Sequence, residues 1–168
     1  MTLATASAAA RPSARTVILK GHDGDGLLFE SQSYSRKGVE LAENPFAAVA
    51  LYWREVHRQV TATGVAEPLD PSLSDVMWER RPFANRAAAI VSEQGALLED
   101  EERLQSAVAE LLRSGRSLDR PPTYHAYRLS PSTMEFWEGS DERLHRRLFY
   151  ERGASTSLVA WTYRRIQP

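Results

Sequence analysis

Phe46–Trp53 reads FAAVALYW and Val56–Leu69 reads VHRQVTATGVAEPL. The first is an unbroken apolar run of strand length, as in a strand covered on both faces. The second alternates well enough for a long strand, and Gly64 marks the place for a bulge. Working back from this pair, Thr2–Thr5 and Arg15–Lys20 (RTVILK) read as strands. GHDGDG (residues 21–26) is a turn leading into Leu27–Phe29. Ser35–Leu41 reads as a short helix, with Ser35 as its cap and Asn44-Pro45 as its stop. Working forward, Asp70-Pro71 is an N-cap followed by proline at the first helical position, opening a helix over Ser72–Arg80. Asn85–Ser92 and Glu99–Arg113 are further helices. The latter carries Leu104, Val108, Leu111 and Leu112 on one face and acids in its first turn. After a loop over Ser114–Pro122, strands return at Tyr124–Leu129, Thr133–Glu138, Arg143–Glu151 and Leu158–Ile166, separated by Ser-Pro, Gly-Ser-Asp and Gly-Ala-Ser turns. Short strands joined by hairpins predict a mainly β fold with peripheral helices. The sheet is an antiparallel barrel and not a doubly wound sheet.

Composition narrows the function. The chain has 168 residues, the size of one domain. Its 21 basic residues are balanced by 22 acidic ones, which argues against a nucleic-acid binder or a polybasic membrane-surface protein. No apolar stretch approaches the length of a membrane span. The start, MTLATASAAARPSAR, has neither the basic nor the apolar region of a secretory leader, so a soluble cytoplasmic protein is the expectation. There is no cysteine, which excludes disulfides, thiolate metal sites and a cysteine nucleophile. His22, His57, His125 and His145 show no metal-ligand spacing, and neither glycine-rich nucleotide motif nor a GxSxG elbow occurs. No metal is expected. Lysine is nearly absent: the two, Lys20 and Lys37, stand among 21 basic residues that are otherwise arginine.

The residues that could carry chemistry are cations and amides. Ser35-Arg36-Lys37 opens a helix, where free N–H groups and the dipole favour an anion, although a solvated first turn has the same sequence. Arg15 and Lys20, five apart on one strand, would face opposite sides. Arg143, His145 and Arg147 alternate and would share one face of a strand. An edge strand kept basic against aggregation would look alike. Gln59 and Gln94 read as surface amides, and Trp137 beside Phe136 suits a core as well as the wall of a flat ligand.

Together these pieces resemble one family. RPSARTVILKG, SRKGVELAENPFAAVALYW, RQV, RPF, EFWEG, ERLHRRLFYER and the terminal RRIQP follow the order and spacing of the pyridoxine/pyridoxamine 5′-phosphate oxidases over nearly the whole chain. Members carry a helical extension ahead of the first strand, and this chain begins almost at that strand. The resemblance implies an FMN-binding split β-barrel, homodimeric, with two FMN molecules at the interface. It divides one compact domain into a core with a helical insertion over residues 1–122 and dimer-forming C-terminal strands over 123–168. FMN contacts would fall on Arg15, Thr16, Val17, Ile18, Glu30, Ser31, Arg36, Lys37 and Gln59, with Gln94, Gly95, Trp137 and Arg147 from the partner subunit. Glu30 stands where the family has an aromatic residue, and Gly95 where it has a hydroxyl residue. Lys20, Arg81, Arg143 and His145 match substrate positions, the last two being the catalytic pair over the substrate ring. Met77 and Asn85 replace a tyrosine and a serine that hold the substrate phosphate. That altered pocket, with LYWRE, RPFAN and ERLHRR, resembles the phenazine-biosynthesis branch, whose aromatic substrates carry a carboxylate. The implied activity is hydride transfer from a reduced phenazine carboxylic acid to FMN, with molecular oxygen as acceptor and hydrogen peroxide as product. Oxidation of a vitamin B6 phosphate is the alternative. A flavin- or haem-binding split barrel without turnover is the reading from another class.

Overall fold

A computed structural model describes residues 1–153 and 160–168. Strands β1 (Thr2–Ala6), β2 (Pro12–Thr16), β3 (Gly21–His22) and β4 (Leu27–Gln32) precede helix α1 (Arg36–Glu43). Strands β5 (Phe46–Trp53) and β6 (Arg58–Pro68) follow, joined by a single 3-10 turn over Arg54–Val56. Helices α2 (Pro71–Glu79), α3 (Phe83–Val91) and α4 (Glu101–Arg113) then separate β6 from β7 (Tyr124–Glu138), β8 (Arg146–Arg152) and β9 (Trp161–Ile166). All strands join one antiparallel sheet, in the order β2-β1-β5-β6-β7-β4-β3, with β8 bridging β7 and β9.

The long β7 organises the barrel. Its first half pairs with β4, its second half with β8, and β6 runs along most of its length. The Ser130-Pro131 pair, expected to be a turn between two strands, lies inside this single strand. Proline cannot donate to a ladder, and the register shift at Thr63/Gly64 opposite it is the bulge that tolerates it. Gly64 is required there: a Cβ would lie 2.0 Å from the Ser130 carbonyl oxygen.

The core lies between sheet faces and α1. Leu3, Phe29, Val49, Ala62, Tyr127 and Leu129 are among its buried members, and Phe29 stacks on Tyr127 at 5.3 Å between ring centroids. Trp78 docks α2 on β7, its indole N–H donating to the Leu118 carbonyl at 2.7 Å. The helix caps are those expected: Ser35 Oγ accepts from the Gly38 N–H, and Asp70 from the Ser72 N–H, with Pro71 at the first position of α2. Asp100 caps α4.

Two strand expectations shift in ways that matter for the site. The RTVILK strand ends at Thr16, where its partner β1 runs out. Residues 17–20 instead cross towards β4, held by the Val17 N–H on the Met1 carbonyl at 2.9 Å and the Lys20 N–H on Leu28 at 2.8 Å. At the other end, β8 begins only at Arg146, because Arg143 closes a turn with φ of 60° and donates its N–H to Ser140. Arg143, His145 and Arg147 therefore do not share a strand face. Leu158 lies outside the described residues.

Candidate active site

Two clefts gather most of the residues singled out from the sequence. The first, of about 480 Å³, is walled by Thr16, Val17 and Ile18 of the crossing segment and by Glu30 and Ser31 of β4. Arg15 and Lys20 both line it, because the chain leaves the strand between them and the expected opposition of faces is lost. Asn85 on α3 and Gln94 beyond it close the far side. Ile18 is 69% exposed, so part of the apolar run read as core is the open rim of this cleft.

Lys37 sits at the cleft floor. The tight start of α1 turns it inward. Gly38 packs so closely that a Cβ would lie 2.4 Å from the Gln32 carbonyl oxygen. Lys37 is only 6% exposed, and its Nζ donates to Ser35 Oγ and Gln94 Oε1, each at 3.2 Å. Both partners are neutral. Burial, then the charge of Arg15, lowers its pKa below the usual lysine value. A buried ammonium with neutral partners among the described residues calls for an anion. Arg36, implied as a companion in binding the cofactor, is not one of the lining residues. Its side chain is 70% exposed and its Nε pairs with Glu40 Oε1 at 2.9 Å. The solvated first turn that the sequence also allows holds for Arg36 and fails for Lys37, because the helix start packs against β4.

Arg15 is held from below. Its guanidinium donates to Thr5 Oγ1 at 2.6 Å and the Leu3 carbonyl at 3.3 Å, and meets Glu40 Oε2 at 3.3 Å. Glu40 is buried, which alone would push its pKa up, yet hydrogen bonds from Ser13, Thr5 and Arg36 outweigh burial and hold the carboxyl at about 2. Sequence reasoning missed Glu40; its place four residues after Arg36 on one helix was the available signal.

At the other end of the cleft, Glu30 Oε2 pairs with Lys20 Nζ at 2.7 Å and with Arg81 at 3.0 Å. Arg81 also donates to the Tyr124 hydroxyl and lies over that ring at 4.9 Å. Burial and the Glu30 charge push the Tyr124 hydroxyl pKa up, so it stays protonated. Tyr124, another residue missed, had no signal beyond opening a strand. Met77, on α2, is half-buried and does not line this cleft.

The second cleft, of about 1040 Å³, forms where β6, β7 and β8 lie side by side. Register places Gln59 opposite Trp137 and Trp137 opposite Arg147, one row across three strands. Arg147 is fixed by a two-point pair with Glu135 at 2.7 and 3.0 Å. His145 packs on Trp137 at 4.9 Å between centroids, and its Nδ1 accepts the Ser140 N–H at 3.1 Å, so the neutral ring carries its proton on Nε2. Arg143 is exposed and lines neither cleft. The rim is apolar and open, with Trp53, Val56 and Phe136 all exposed.

Within the chain the amides group otherwise than the resemblance implied. Gln94 belongs with Lys37, and Gln59 belongs with Trp137 and Arg147, because β6 and β7 are neighbours in the sheet. Gly95, at φ of 94°, is the turn residue beside Gln94. The family model for pyridoxamine 5′-phosphate oxidase matches residues 1–138, and that for the pyridoxine 5′-phosphate oxidase C-terminal dimerisation region matches residues 124–168.

The chain belongs to the pyridoxamine 5′-phosphate oxidase family.

A Burkholderia thailandensis family member named pyridoxine/pyridoxamine 5′-phosphate oxidase is 45% identical over 169 aligned residues, covering 100% of this chain and 78% of its own. PhzG from Burkholderia lata 383, solved in complex with tetrahydrophenazine-1-carboxylic acid, superposes with a TM-score of 0.94 at 42% identity, covering 99% of this chain and 81% of its own. A related FMN-binding protein from Nostoc punctiforme shares the fold, with a TM-score of 0.81 at 22% identity over 99% of this chain and 87% of its own. The family's split-barrel fold and dimerisation region thus account for the whole chain. Among the described residues no helix is long and apolar enough to cross a membrane.

Proposed function

We propose that this protein is an FMN-dependent oxidase acting on a reduced phenazine carboxylic acid, with molecular oxygen as the final acceptor and hydrogen peroxide as product. The observation that carries the reading is Lys37: a buried ammonium on neutral partners, beside Arg15, at the floor of a cleft long enough to continue past Ser31 to Lys20 and Arg81. An anionic group such as the FMN phosphate fits that floor, held by Lys37 and Arg15 with the free N–H groups of the α1 start. Bound flavin would supply the hydride acceptor and pass the electrons on to oxygen.

The protein's own residues then orient and select. Val17 and Ile18 offer apolar surface to a flat ring, and Lys20 and Arg81 offer cations to the acid group of the substrate. Gln59, Trp137, His145 and Arg147 form a second half-site, which dimerisation brings to the partner's first cleft. Residues 1–122 and 123–168 serve as core and dimer-completing segment in this arrangement. Arg143, on its exposed turn, reaches the substrate ring from the partner as well. The complex of PhzG with tetrahydrophenazine-1-carboxylic acid supports the substrate class. Oxidation of a B6 phosphate is the second reading, favoured by the name of the 45% identical relative.

The test is direct. Protein purified without added flavin should be yellow and release FMN on denaturation, and it should produce peroxide when mixed aerobically with a dihydrophenazine carboxylate. A colourless protein that takes up no FMN contradicts the cofactor reading, and a yellow one that yields no peroxide with either substrate class is a carrier.

A further inference from the structure

Glu30 lies in a place where a carboxylate needs explaining. Its side chain is 2% exposed, at the substrate end of the first cleft, between the two cations that would hold the substrate's acid group. Lys20 Nζ at 2.7 Å and Arg81 at 3.0 Å share one of its oxygens, Oε2. The other oxygen, Oε1, is buried without a hydrogen-bond partner, as is Arg81 Nε. An acceptor calls for a donor, which an anionic ligand lacks, so among the described residues the Glu30 charge is met by Lys20 and Arg81 alone.

We infer that Glu30 sets the charge selectivity of this site, tuning the Lys20–Arg81 pair for a monoanionic carboxylate ligand and against a dianionic phosphate ester. Two cations alone would match a phosphate dianion. With Glu30 between them the cluster carries one net positive charge, enough for one carboxylate, and a second negative charge would meet the Glu30 carboxylate across a short distance in a poorly solvated wall. Tyr124, kept protonated and bonded to Arg81, adds no charge, and Asn85 is neutral. The inference rests on the carboxylate reading of the substrate but adds to it a residue and a direction of discrimination.

Because the interaction scales with ligand charge, removing the Glu30 charge acts on a dianion about twice as strongly, on a logarithmic scale, as on a monoanion. The experiment is calorimetric titration of the flavin-loaded protein with phenyl phosphate and with benzoate at pH 8, where the phosphate ester, whose second pKa is about 6, is a dianion. Wild type should prefer benzoate, because the cost of stripping water from a ligand rises with the square of its charge while a site of one net positive charge repays it only in proportion. Glu30→Gln should tighten phenyl phosphate by about a hundredfold and benzoate by about tenfold, moving the ratio by about tenfold. Should Glu30→Gln fail to fold, Glu30→Tyr removes the same charge and puts an aromatic residue at that strand position. Equal shifts for the two probes in the variant that folds, a wild type that already prefers phenyl phosphate, or no binding of phenyl phosphate to the variant overturns the inference. Failure of the substrate reading looks different: a dihydrophenazine carboxylate is not oxidised while the Glu30 shift persists.

Discussion

Replacing Lys37 with methionine separates two effects that ordinary loss of a binding residue combines. The Lys37 ammonium is buried on Ser35 and Gln94, and burial lowers its pKa, so in the apoprotein the charged form is held at a cost. Methionine keeps an unbranched chain of similar length and removes that charge. Ser35 keeps its bonds to Gln32 and Gly38, so the cap of α1 survives. The apoprotein should therefore be at least as stable as wild type. Cofactor binding should suffer in the opposite sense. A hydrogen bond to a charged group is worth about 1.5–3 kcal/mol, or roughly 10- to 150-fold in the FMN dissociation constant at about 1.4 kcal/mol per decade. A pH signature accompanies it. The folded pKa lies below the unfolded value of 10.5, so the wild-type apoprotein gains stability as pH rises from the folded pKa towards 10.5, and Lys37→Met removes that gain. Flavin fluorescence titration gives the affinity, and thermal unfolding of the apoprotein across pH gives the stability. An FMN affinity within threefold of wild type, or an apoprotein several degrees less stable, would show that Lys37 has a structural role and not the one assigned.

Two further outcomes follow from the same geometry. Glu40, held at about 2 against an ordinary value of 4.5, contributes stability that is fully present above 4.5 and lost as pH falls towards 2. Glu40→Gln should thus flatten the acid limb of the stability profile while lowering stability at pH 7, as read by denaturant unfolding. A heterodimer of one Lys37→Met chain and one Arg147→Ala chain should recover about half the wild-type peroxide rate at limiting FMN, because one of its two composite sites is intact; recovery of none would place each site within a single chain.

Much of the fold was legible because local signals agreed with one another. The FAAVALYW run became β5 with the expected ends, and Ser35, Asp70 and Gly64 each did the job that their chemistry suggests. The misses have common physical causes. Ser-Pro normally signals a turn, but Pro131 sits at a bulge whose partner is Gly64, a pairing invisible until β6 and β7 are side by side. Val17 packs on the core and Ile18 forms the open rim of the cleft, so together they imitate a buried strand. The alternation of Arg143, His145 and Arg147 carries no trace of the positive φ that delays β8. At the site, the resemblance named residues most of which gather in two clefts, yet it grouped Gln59 with Lys37 and Gln94 with Trp137, whereas sheet order sets Gln59 beside Trp137 and Gln94 bonds Lys37. Nor could it show that Glu30 lies between the two cations and offsets one of their charges, since that depends on how β4 packs.

If the cleft serves oxidation of a carboxylate-bearing aromatic substrate, kcat/KM for a dihydrophenazine carboxylate exceeds that for pyridoxamine 5′-phosphate. Both are assayed with the flavin-loaded protein at equal oxygen, with peroxide release as the readout. Lys20 and Arg81, with Glu30 between them, leave one unit of positive charge for the acid group. The dihydrophenazine carboxylate should show the higher kcat/KM, by about tenfold or more. Efficient turnover of pyridoxamine 5′-phosphate with none of the dihydrophenazine would contradict it and leave the B6 reading in its place.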